Sequence, residues 1–159
     1  MRRAAASFAR AAAETAEAFF SSPAAAATAW EAPRLPEGRA LYCSQRNIGE
    51  RYELLLNLAA DKSEFGALFP AEVPEAIRMD AYCELANCIC GTLLADEGFA
   101  GEFGSLIPCV PCSSSGRVTA GARAFRGAFR LRGAWIRYSF SVQETAPGQS
   151  ALARYAAAA

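Results

Sequence analysis

Asp80-Ala-Tyr-Cys-Glu-Leu-Ala-Asn-Cys-Ile-Cys-Gly91 reads as the middle of a helix with a core-facing side and a second, polar side. At 100° per residue, Asp80, Glu84, Asn87 and Gly91 fall within about 60° of one another, while Met79, Tyr82, Leu85, Ala86, Ile89 and Leu93 cover the opposite side. A carboxylate and a carboxamide three residues apart therefore project together from a rigid element. The bare pattern Glu-x-x-Asn is weak, because a chain of 159 residues with 13 Glu and 3 Asn yields it by chance often enough. Its context is less ordinary. Asp80 precedes Glu84 by one turn, and Gly91 follows Asn87 by another, where glycine costs a helix about 1 kcal/mol unless something must approach closely. The competing reading is a stripe that only solvates a helix face.

Working outward, Pro74 is tolerated at the start of this helix, which is expected from Glu75 to Ala95 and to stop before Gly98. Ahead of it, Asp61-Lys-Ser-Glu64 has the form of a capping box and predicts a short helix from Lys62 that ends before Pro70. Further upstream, residues 39–46 and 51–58 read as a hairpin turning at Asn47-Ile-Gly-Glu50, with Tyr52, Leu54, Leu56 and Leu58 on one face. Residues 6–22 read as an alanine-rich helix with Phe8, Ala12, Ala16 and Phe19 at core spacing, and 23–38 as an Ala/Pro-rich linker. The low-complexity alanine at both ends is expected to lie outside the core. Downstream come a strand at 105–110, a loop at Ser113-Ser-Ser-Gly116, and two alternating strands, 123–132 and 134–143, joined by a turn at Arg132-Gly133. The order α-β-β-α-α-β-β-β implies an α+β fold, a mostly antiparallel sheet with helices packed on one face. The expected organisation is an N-terminal helix and linker over 1–38, a folded unit over 39–145 and an alanine-rich tail over 146–159.

The formal net charge is zero, yet residues 1–102 sum to −6 and residues 103–159 to +6. Arg117, Arg123, Arg126, Arg130, Arg132 and Arg137 supply most of the basic half. Arginines alternating with Phe129 and Leu131 suit a solvated strand face, and a single Lys with no aromatic-plus-basic motif argues against nucleic acid. No run of 18 apolar residues is present, and Arg10, Glu14 and Glu17 interrupt any secretory core, so a cytoplasmic protein without a membrane span is expected.

Six cysteines and no histidine raise the question of a metal or redox site. Cys88 and Cys90 on one helix point about 200° apart and cannot share an ion. Cys109-Val-Pro-Cys112 has redox spacing but follows an apolar strand and not a helix start, where a thiol would be activated. Buried free thiols are the plainer reading, with a Cys109–Cys112 disulfide, or a thiol or metal protein built on that pair, left open.

Together these features resemble the CheC/CheX/FliY phosphatases of bacterial chemotaxis, most closely the CheX-like branch. The matching residues are Asp80-x-x-x-Glu84-Leu-x-Asn87-x-x-x-Gly91, then Leu106-Ile-Pro108-x-Val110 entering a strand, a glycine-bearing loop at Gly116, and Leu54-Leu-Leu-Asn-Leu58 followed by the helix to Phe69. Cys83 stands where that family usually has glycine. The resemblance covers about 39–143 and implies hydrolysis of the phospho-aspartate of a response-regulator receiver domain. It assigns Asn87 to orienting the attacking water and Glu84 to pairing with the receiver's lysine, with Asp80 an outer partner contact and Gly91 a point of close approach. It implies Mg²⁺ held by the receiver, no cofactor on this chain, and a homodimer formed through the sheet. A CheX-like docking or scaffold module that binds without catalysis is the alternative.

Overall fold

One seven-stranded antiparallel sheet organises the chain, of which the computed structural model describes residues 2–28, 31–32, 38–114 and 124–145. In chain order the elements are α1 (Arg2–Phe20), β1 (Ala24–Thr28), β2 (Ala40–Gly49), β3 (Tyr52–Asp61), α2 (Lys62–Gly66), α3 (Glu75–Leu94), α4 (Glu97–Phe103), β4 (Leu106–Pro108), β5 (Cys112–Ser114), β6 (Ala124–Leu131) and β7 (Ala134–Glu144). The strand order is β1-β6-β7-β3-β2-β4, with β5 also paired to β2. The expected α+β architecture is present.

Register explains why one face is apolar. Gln45 pairs with Leu56, which pairs with Phe140, and Cys43 with Leu58 and Tyr138, so these rows stand on the same side of the pleat. Leu54, Leu56, Leu58, Ile136 and Phe140 are fully buried there. All four helices cover this side: Phe8 of α1 lies 4.7 Å from Tyr138 and 4.4 Å from Phe140, Phe65 of α2 lies 4.6 Å from Tyr82 of α3, and Phe103 of α4 meets Tyr52 edge-on at 5.4 Å. No helix among the described residues is long and apolar enough to cross a membrane.

Several expectations are corrected. The alanine-rich start is part of the core, since Phe8, Ala11, Ala12 and Ala16 are buried. Small side chains let α1 lie close against its neighbours. The segment read as a linker contains β1, whose Ala24–Thr28 backbone pairs with Leu131 to Gly127 of β6. A strand of four alanines and one threonine carries no alternation, so nothing in its pattern announces it. The β2–β3 turn falls at Glu50-Arg51 and not at 47–50, because Asn47 is a buried ladder residue opposite Leu54. Asp61 caps α2, accepting from the backbone N–H of Ser63 at 2.8 Å and of Glu64 at 3.2 Å. Glu64 does not complete the capping box; its Oε2 accepts from the backbone N–H of Trp135 at 3.1 Å, tying α2 to β7. Helix α4 was not expected. Asp96 caps it through the Phe99 N–H at 2.9 Å, and Gly104 ends it at φ +74°, so Gly98, which follows the end of α3 as expected, lies in the first turn of the next helix.

The strand expected at 105–110 shrinks to the three residues of β4, and β5 starts at Cys112 and takes in Ser113 and Ser114, the first two residues of the expected loop. The Arg132-Gly133 turn is as expected, with φ of +47° and +92°, the type I′ signature of a two-residue hairpin. Gly116, Arg117, Arg123 and the 146–159 tail lie outside the described residues.

Candidate functional site

Helix α3 places the polar stripe. Pro74 stands at its N-cap, leaving Glu75 to begin the helix, and Ala95 closes it through N–H bonds to Gly91 and Leu93. Tyr82, Leu85, Ala86, Ile89, Cys90 and Leu93 are buried, so the inward face is as the periodicity predicts. Asp80, Glu84 and Gly91 are exposed, and Asn87 is half-buried. All four stripe residues are thus on the outer side of one helix. A Cβ built on Gly91 would meet nothing within 4 Å, so no contact inside this chain requires glycine there.

The structure ties Glu84 and Asn87 together: Asn87 Nδ2 lies 3.5 Å from Glu84 Oε2, a long hydrogen bond. It also supplies a third member that sequence reading missed. Gln45, fully buried on β2, donates from Nε2 to Asn87 Oδ1 at 3.1 Å. Asn87 therefore leans against the sheet instead of projecting freely. Two residues on, Asn47 donates from Nδ2 to Cys90 Sγ at 3.4 Å, and two residues back, Cys43 Sγ sits 3.7 Å from Cys83 Sγ. Cys43, Gln45 and Asn47 make the seam between β2 and α3 polar where an apolar stripe is the norm. The signal was present, in polar residues alternating at i, i+2 and i+4 on a strand whose neighbour carries Leu54, Leu56 and Leu58.

The cysteines are free thiols. Burial, reinforced by the nearby Cys83, pushes the Cys43 thiol up, and burial takes Cys90 up to about 12 against the opposing bond from Asn47. Burial also raises Cys83, Cys88 and Cys109; at Cys88 the hydrogen bond to Glu84 adds to it. Raised thiols are poor nucleophiles and poor metal ligands. Among the described residues no three Cys, Asp or Glu side chains are grouped to hold an ion. Cys109 and Cys112 are both unbonded, and Cys109 donates its backbone N–H to Arg46 at 2.8 Å as the chain leaves β4. In the basic half, Arg126 and Arg130 stand four residues apart on β6 with Arg137 of β7 opposite Ala128 between them, so these three arginines share the sheet face turned away from the helices. Arg126, Arg130 and Arg132 are exposed, Arg132 donates to the Phe20 carbonyl at 3.2 Å, and burial lowers the pKa of Arg137.

A two-point polar probe on the outer face of a helix, backed by a sheet, suits engaging another molecule. No protein-family model matches the sequence, and no curated protein matches it either. Solved structures do. The chemotaxis protein CheX from Vibrio vulnificus superposes with a TM-score of 0.66 at 12% identity, over 86% of this chain and 97% of that one. The chain has the CheC/CheX/FliY fold. CheX from Borrelia burgdorferi, solved in complex with CheY, BeF₃ and Mg²⁺, aligns at TM-score 0.65 and 15% identity over 87% of this chain and 96% of that chain. FliY from Thermotoga maritima aligns at TM-score 0.56 and 12% identity over 83% of each. At these identities the CheX-like likeness is one of fold.

Proposed function

We propose that this chain is a phosphatase of chemotaxis-type signalling that hydrolyses the phospho-aspartate of a CheY-type receiver domain. The observation that carries this reading is the joint presentation of Glu84 and Asn87 from the exposed middle of α3, with the Asn87 carboxamide pinned from below. The fold shared with a CheX that binds CheY supports it. In that complex BeF₃ is chemically a stand-in for a phosphoryl group.

The reaction asks for little covalent chemistry from this chain. Water's oxygen bonds to phosphorus as the bond from phosphorus to the aspartyl oxygen breaks, which leaves a carboxylate, inorganic phosphate and a proton for solvent. Such a transfer is accelerated by positioning and by charge stabilisation. Asn87 orients the attacking water, and Glu84 pairs with the receiver's lysine, holding the two proteins in register. Asp80 adds an outer contact, and the bare backbone at Gly91 lets the partner come close. Mg²⁺ belongs to the receiver, which works with this chain in the cytoplasm.

Following the decay of a phosphorylated CheY-type receiver with and without this protein tests the reading. Asn87→Ala should cut the acceleration by about 100-fold or more while leaving the circular dichroism that of the folded protein. A scaffold would instead bind the phosphorylated receiver without shortening the phosphate's lifetime. Unchanged acceleration by the Asn87→Ala protein would rule the phosphatase out.

A further inference from the structure

We infer that Gln45 is a positioning residue that sets which way round the Asn87 carboxamide stands; the inference rests on the phosphatase reading above. An asparagine amide has two nearly isosteric orientations, related by a half-turn about its last torsion, and an exposed amide samples both. Only one orientation presents a given atom to an attacking water. Asn87 has a neighbour on each side. Glu84 Oε2, 3.5 Å from one end, belongs to a carboxylate that can only accept. Gln45 Nε2, 3.1 Å from the other end, donates. Turning both amides over together would keep a bond between Gln45 and Asn87 but set Asn87 Oδ1 against Glu84, oxygen facing oxygen. The polarity of the row is therefore fixed as Gln45 to Asn87 to Glu84, each donating to the next.

Stability does not explain Gln45. The residue is fully buried, and its own Oε1 has no hydrogen-bond partner among the described residues, a cost that an apolar side chain would avoid. What the glutamine supplies is its donor, and that donor goes to Asn87. With one Oδ1 lone pair engaged below and one Nδ2 proton turned toward Glu84, the remaining lone pair and the remaining N–H keep fixed directions toward a docked partner. An oriented amide is what aligning a water in line with phosphorus needs.

Gln45→Met keeps an unbranched side chain of similar length, removes the donor and also removes the unpaired oxygen. In the full chain, with a phosphorylated CheY-type receiver as substrate, kcat should fall by about 10-fold or more while KM stays within error and the melting temperature holds or rises. In nuclear magnetic resonance spectra of the free protein, the Asn87 side-chain amide pair, identified by its absence from Asn87→Ala, should shift in Gln45→Met while α3 backbone signals stay in place. An unchanged kcat for Gln45→Met beside a lost kcat for Asn87→Ala would overturn the positioning role alone. A fall in kcat accompanied by a lower melting temperature or a higher KM would also overturn it, marking Gln45 as structural. A retained rate in Asn87→Ala would overturn the phosphatase reading and the positioning role together.

Discussion

Two helices lie on the same face of one sheet and are held by different physics. Under α1 the sheet offers aromatic rings, and Phe8 stacks over Tyr138 and Phe140. Under α3, at β2, it offers Cys43, Gln45 and Asn47, and the contacts are a thiol pair and two directional hydrogen bonds. Apolar burial is proportional to area and indifferent to direction, whereas hydrogen bonds fix an angle. The contrast teaches what each helix is for: α1 closes the core, and α3 delivers side chains at a set orientation.

The largest effect that could break this contrast lies on the α1 side. Phe8→Ala should cost about 3 to 5 kcal/mol by chemical denaturation, because a fully buried ring leaves a cavity, yet dephosphorylation per folded molecule should be unchanged. A kcat loss in folded Phe8→Ala protein would show that α1 tunes the site after all. A smaller effect lies outside both helices, at the cap of α2. The Asp61 carboxyl, which anchors the start of α2, is held down to about 2 from 3.8, first by the Ser63 hydroxyl and then by the Glu64 and Ser63 N–H groups and Arg39, against the opposing pull of burial. A depressed folded value contributes stability above pH 3.8, and that stability drains away as pH falls from 3.8 through 2. Acid titration of the wild type against Asp61→Ala should show the wild type's advantage, about 1 kcal/mol for a lost cap at neutral pH, disappearing across that window. The smallest effect concerns the outer face of α3. Gly91→Ala should raise stability by about 1 kcal/mol, since its Cβ meets nothing. A destabilised Gly91→Ala protein would mean that the helix needs this glycine for itself.

The sequence carried the long helix, its buried side, the exposed Glu84 and the half-buried Asn87, because amphipathic periodicity over 20 residues is a strong signal and a proline marks its start. The β6–β7 hairpin was equally plain from Arg132-Gly133. What was hidden follows from how weak the local signals were. β1 is held by backbone bonds to β6 and contributes only alanine and one threonine. Asn47 looked like turn chemistry because polar residues usually are, and only its partner Cys90, 43 residues away, makes it interior. Gln45 stands in a polar alternation that is legible on the strand, but its partner is not: a buried amide becomes meaningful when the helix that crosses it brings Asn87 within 3.1 Å.

The sheet margin beside α3 has a consequence for solubility. Strand β2 is bordered there by β4 and β5, two three-residue pieces separated by Cys109, Val110 and Pro111. Pro108 and Pro111 remove two amide donors from this margin, and the break between the pieces interrupts any continuous ladder. A passing extended chain finds no uninterrupted row to zip onto. The outer boundary of the sheet on this side is thereby guarded against strand addition and the aggregation that follows from it, so the outer face of the helix above acts through side chains alone.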